Sequence, residues 1–144
     1  MSQVHMIVGI AVLASNAVAA AWGAVSWLRG FPSHPFWWLL RVAQATVVVQ
    51  TVIGLLLLAR GASAPDGLHV AYGVALLAVT VIAEGTRLGA AQRLIEDVPD
   101  LDALDRDEQI ALARRVSLAE MGVMTIGVLL VLTLSLRAYQ TGGL

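Results

Sequence analysis

The chain has no cysteine and no lysine, and charged residues make up only 13% of its 144 positions. Without cysteine there can be no disulfide, no thiolate metal site, no iron–sulfur cluster and no haem attached through Cys-x-x-Cys-His. Any bound group must be held by histidine, methionine, carboxylate or packing. The shortage of charge is matched by 58% hydrophobic residues and a mean hydropathy of +0.80, a balance foreign to soluble domains. Strict apolar–polar alternation is also missing, which argues against a transmembrane β-barrel. Met1-Ser2-Gln3-Val4 lacks the positive charge that opens a secretory signal, and the apolar run behind it is long, so the first helix is expected to be retained.

What is present is a set of long apolar runs. A hydrocarbon core about 30 Å thick takes about 20 apolar residues per helix. Four segments meet that demand: Val4 to Trp27, Phe36 to Leu58, Leu68 to Glu84 continuing to about Asp97, and Asp107 to Arg137, whose apolar part begins near Ser117. These predict an all-α, integral membrane, up-down four-helix bundle in a single domain. Leu88, Ala91, Leu94 and Ile95, then Ile110, Leu112, Ala113 and Val116, keep helical spacing on either side of Pro99, and Asp107 is placed to cap the later helix. They predict a cytoplasmic helical extension between helices 3 and 4, with Glu96, Asp97, Asp100, Asp102, Asp105, Asp107 and Glu108 as its solvated face or a docking surface.

All nine basic residues are arginine, and seven of them (Arg29, Arg41, Arg87, Arg93, Arg106, Arg114, Arg115) fall on the side of the helix 1–2 and helix 3–4 connections. The positive-inside rule makes that side cytoplasmic and puts both termini and the Arg60–Asp66 loop outside. A bacterial plasma membrane is the expected location.

Helix 1 is rich in small residues (Gly9, Ala11, Ala14, Ser15, Ala17, Ala19, Ala20, Gly23) that let membrane helices approach closely. Asn16, near mid-membrane, is expected to hydrogen-bond across to another helix. Arg29 to Trp38 combines Gly and Pro breakers with aromatics and reads as an interfacial belt in which His34 is a surface residue. Arg60 to Pro65 is a small-residue turn, and Asp66 is a good N-cap for helix 3. Glu84 and Glu120 lie near the inner helix ends, where an ion pair of Glu84 with Arg87 is favoured over a proton path.

Laying helix 1 on helix 3 with an offset of 64 matches His5 with His69, Gly9 with Gly73, Ala11 with Ala75, Leu13 with Leu77 and Ala14 with Ala78. Helices 2 and 4 share Ile-Gly, leucines and an arginine: Ile53-Gly54 to Arg60, and Ile126-Gly127 to Arg137. A duplicated helical hairpin with a pseudo-two-fold axis along the membrane normal accounts for both.

Helices 1 and 3 of such a bundle run parallel on a diagonal, so His5 and His69 are expected to face each other from one depth. That arrangement suits two axial ligands of one haem iron. Gly9 and Gly73, one turn on, would remove bulk where a porphyrin passes. Arg60 and Arg137 are candidate partners for haem propionates, and Tyr72, Gln50 and Asn16 for edge contacts. Two ligands without a carboxylate other than Asp66 would leave a bare transition-metal ion under-liganded. The plainer alternative is that both histidines are structural.

The order of a histidine near the start of one helix (His5), Gln-x-x-x-Gly in the next (Gln50, Gly54) and a histidine near the start of the third (His69) resembles half of a haem A synthase, over about Val4 to Ile82. It is more loosely similar to small b-type membrane cytochromes. The resemblance implies a four-helix unit holding haem b between histidines near the outer face. A bis-histidine haem has no open coordination position and suits electron transfer rather than oxygen chemistry. The expected function is therefore a membrane electron carrier more than a stand-alone enzyme, surrounded by lipid and exchanging electrons with a quinone or a redox protein. A homodimer is compatible with the sequence, and no nucleic-acid partner is expected. The rival readings are a cofactor-free accessory subunit of a membrane complex and a half-size haem-modifying enzyme.

Overall fold

The computed structural model describes residues 2–64 and 66–141. Four helices follow in order: α1 (Ser2–Leu28), α2 (His34–Ala59), α3 (Gly67–Glu96) and α4 (Arg106–Thr141). Each is long and apolar enough to cross a membrane. Even α2, with 26 residues, extends about 39 Å at about 1.5 Å rise per residue. Pro65, assigned above to the turn after helix 2, lies outside the described residues.

Local chemistry sets the helix ends. Ser33 caps α2: its hydroxyl accepts from the Phe36 amide at 3.4 Å and from Trp22 Nε1 at 2.8 Å, tying the cap to α1. Asp66 caps α3 as expected, its Oδ1 accepting from the Leu68 amide at 3.1 Å. At α4 the cap is Asp105, not Asp107. Asp105 Oδ1 accepts from the Glu108 amide at 2.9 Å while Glu108 Oε2 accepts from the Asp105 amide at 3.0 Å. This reciprocal capping box needs an acid three residues after the cap, and Glu108 supplies it for Asp105. Gly30 and Gly61 take φ of +67° and +83° just past the ends of α1 and α2, a conformation that side chains resist.

The helices stand in a ring in which α1 packs closely against α2 and α4, and α3 against α4, while α2 and α3 are the neighbours in least contact. Glycines permit the close approaches. A Cβ on Gly23 would lie 2.5 Å from Thr125 Oγ1 and 2.6 Å from Phe36 Cε2, and one on Gly122 would lie 2.6 Å from the Trp27 ring. One buried cluster contains Phe36, Leu40, Met121, Met124 and Val128 with Ala19, Ala20, Ala43 and Ala83. Nearer the histidines, Val12, Val47, Leu76 and Val131 form a second apolar layer. Large apolar side chains such as Ile7, Val52, Val81, Ile82 and Leu130 stand exposed on the outside.

Polar side chains inside the bundle are largely paired. Asn16 does not reach across to another helix. It donates from Nδ2 to the Val12 carbonyl of its own helix at 2.8 Å, because that carbonyl lies one turn back and its neighbours on α2 and α4 are mostly apolar. The α1–α2 bridge comes instead from Ser15 and Thr46, 3.0 Å apart. At the arginine-rich end, Glu84 accepts from Arg41, from Gln44 Nε2 at 2.8 Å and from Arg87 Nε at 3.0 Å. Arg87 also donates to Glu120 at 2.7 Å and lies 5.4 Å from the Trp37 ring centre. The expected Glu84–Arg87 pair is thus one edge of a network joining α2, α3 and α4, in which two arginines balance two carboxylates.

Gly23→Ala and Gly122→Ala should each lower stability by about 1–3 kcal/mol through overpacking. Gly85→Ala and Gly89→Ala, where a Cβ meets nothing within 4 Å, should be neutral or gain up to about 1 kcal/mol from helix propensity. Thermal unfolding in detergent micelles separates the two groups.

Candidate functional site

His5 lies in the first turn of α1 and His69 in the first turn of α3. Because these helices start at the same end of the bundle and sit diagonally, the two imidazoles meet across its axis, with ring centres 5.9 Å apart and planes at 63°. They border a cavity of about 450 Å³, within the about 300–1,000 Å³ usual for small-molecule and cofactor sites. Its floor is Val12 and Leu76 of the second apolar layer.

Each imidazole is held through one nitrogen. His69 Nδ1 lies 2.9 Å from the Ala138 carbonyl of α4. A carbonyl oxygen can only accept, so Nδ1 carries a proton and donates it to this bond. His5 Nε2 lies 3.3 Å from the Gln50 amide nitrogen on α2. His5 Nδ1 and Gln50 Oε1 are both buried without a partner. Turning the Gln50 amide over, which exchanges atoms of nearly equal size, would let Oε1 accept from His5 Nε2. In either orientation Gln50 engages Nε2, and His5 Nδ1 has no partner among the described residues.

Three glycines shape these surroundings differently. A Cβ on Gly54 would lie 3.3 Å from His5 Cε1, so Gly54 makes room for the imidazole. One on Gly9 would lie 3.2 Å from Gln50 Nε2, so the space beside Gly9 holds the Gln50 amide. Gly73 borders the cavity, and a Cβ there would meet nothing within 4 Å. The repeat of helix 2 in helix 4 does not extend to surroundings: a Cβ on Gly127 would lie 2.8 Å from the Ala83 methyl, so Gly127 packs against Ala83 and not against His69.

Of the candidates named from the sequence, the cavity brings together His5, His69, Gly9, Gly73 and Gln50. Tyr72 does not line it, and neither do Arg60 and Arg137, which are exposed at the same end; Arg137 donates to Gln140 Oε1 at 3.3 Å. His34 is exposed, where it accepts from Trp38 Nε1 at 3.3 Å. Sequence reasoning missed Tyr139 and the Ala138 carbonyl. A backbone carbonyl leaves no trace in residue type, and Tyr139 follows an apolar run without a motif. Gly54 was visible one turn from Gln50, but its contact with His5 was not.

Among the described residues no group of three or more His, Asp or Glu could hold a metal ion. Two imidazoles without a carboxylate can serve only a metal that brings most of its own ligands.

Gly9→Ala and Gly54→Ala should each cost about 1–3 kcal/mol by crowding Gln50 and His5, whereas Gly73→Ala should cost nothing. Because both costly changes act on one hydrogen-bonded pair, the double variant should depart from additivity by about 0.5 kcal/mol or more, which a double-mutant cycle in detergent unfolding would measure.

No family model, curated protein or solved structure matches the chain.

Proposed function

We propose that the chain is an integral membrane cytochrome that holds one b-type haem between His5 and His69 and passes single electrons. The observation that carries this reading is the pair of imidazoles from α1 and α3, each held through one nitrogen, bordering a cavity of cofactor size. When bound, haem supplies a one-electron couple, and two histidine ligands close the iron to other ligands. His69 is oriented by the Ala138 carbonyl and His5 by Gln50, with Gly54 leaving space for its ring. The largely apolar lining keeps water scarce, which is a lever on the potential of a buried redox group. Arg60 and Arg137, exposed at the same end, are the cations available to carboxylates that emerge there.

The four helices cross a bacterial plasma membrane in this reading, with the arginine-rich connections inside and the histidine end outside, as the positive-inside rule requires. A site near one face does not by itself carry an electron across the bilayer. A lipid-soluble quinone or a redox protein therefore completes the route. The resemblance to half of a haem A synthase supports haem binding and is not extended to haem chemistry.

A reduced-minus-oxidised absorption spectrum of the purified protein tests the proposal. The wild type should show sharp b-type bands, and His5→Ala and His69→Ala should each abolish them. A colourless wild type would sink it in favour of a cofactor-free accessory subunit. Loss of the bands with only one of the two substitutions would refute the bis-histidine assignment.

A further inference from the structure

The cavity is not closed equally on all sides. Toward the bundle interior it is tightly packed, with Val12 1% exposed and Ser135 6%, whereas on the α1 side Met6 is 48% exposed. Leu55 and Leu58 of α2 and Val70 and Val74 of α3 are among the residues that border it. Leu55 and Val74 are each 52% exposed although they border the cavity. These helices are also the neighbours in least contact. Their polar links, Arg41 and Gln44 to Glu84, lie at the opposite end of the bundle. Side-chain hydrogen bonds therefore hold the α2–α3 pair at one end, and among the described residues none joins these helices at the histidine end. Across the histidine end, Ala62, Ser63 and Ala64 of the α2–α3 connection border the cavity. Among the described residues no Asp, Glu, Lys or Arg lines it, so nothing there offers a path of charge toward water.

From this geometry we infer that the cavity is entered sideways, through the cleft between α2 and α3, by a ligand dissolved in the bilayer. An apolar doorway flanked by leucine and valine at membrane depth admits a lipid-partitioned ring without exposing it to water, whereas a water-borne ligand would have to pass the connection at the histidine end. The side entrance rests on the cavity being a ligand site, and it fixes the route and the class of ligand: a largely apolar, membrane-dissolved ring system. It equally explains why Gly73, on the α3 side of the cavity, carries no side chain where space is open.

The absence of cysteine makes a direct test practical, since any introduced thiol is the sole one. Gly73→Cys, with Val70→Cys as a second reporter in case the first perturbs folding, is reconstituted in phosphatidylcholine vesicles. It is labelled either with a pyrene maleimide dissolved in the lipid or with a sulfonated, membrane-impermeant maleimide. Each rate is normalised to that of the same protein in SDS. The lipid-dissolved reagent should react about tenfold faster or more, because partitioning worth about 0.8 kcal/mol per buried CH₂ concentrates it in the bilayer. Adding Leu55→Trp, which fills the doorway, should slow that reaction and leave the slow aqueous reaction unchanged. Equal or faster labelling by the sulfonated reagent, or indifference of the lipid-borne reaction to Leu55→Trp, would overturn the side entrance. These outcomes are read without haem, so a colourless protein would refute haem binding while the labelling still decides the route.

Discussion

The closeness with which α1 can approach its neighbours is the constraint from which the rest of the bundle follows. In an apolar surrounding, helices gain little from hiding apolar surface, and association depends on packing contacts and internal hydrogen bonds. Gly23 admits Thr125 and Phe36, Gly122 admits Trp27, and Gly9 and Gly54 admit Gln50 and His5. These approaches bind α1 to α2 and α4 and leave α3 to lean mainly on α4, where Gly127 meets Ala83. The remaining neighbours, α2 and α3, share no such glycine seam among the described residues.

A layered interior results. At the arginine-rich end, Arg41, Gln44, Glu84, Arg87 and Glu120 neutralise one another. The tightly packed Phe36–Met124 cluster follows. A void of about 10 Å³ beside Asn16, Gln44 and Thr80 has about the volume of one water. Beyond it, Val12, Val47, Leu76 and Val131 separate this polar level from the histidine cavity. That apolar layer separates the polar level from the histidine cavity along the axis, which is consistent with Glu84 and Glu120 acting as structural ions.

Much of this was legible in the residues themselves. The four helices follow from run length, since about 20 apolar residues without charge have few other uses. Asp66 announced the start of α3, and Glu84 with Arg87 announced an ion pair. The errors came where two local solutions competed. Asp105 and Asp107 both suit a cap, and the choice fell to the one with Glu108 three residues on. Asn16 was expected to bond across the interface, but it donates to the Val12 carbonyl one turn back in its own helix.

The sequence by itself determined the helices, their apolar exteriors and the placement of His5 and His69 in the first turns of alternate helices, because periodicity, charge and capping are properties of short stretches. Only the tertiary structure decided which nitrogen of each imidazole is engaged, that Gly9 accommodates Gln50 and Gly54 accommodates His5, that Arg60, Arg137 and Tyr72 stand clear of the cavity while Tyr139 borders it, and that α2 and α3 are the neighbours in least contact. Those features depend on distances between helices. Such distances are set by the few positions where one backbone can come near another, and no single helix encodes them.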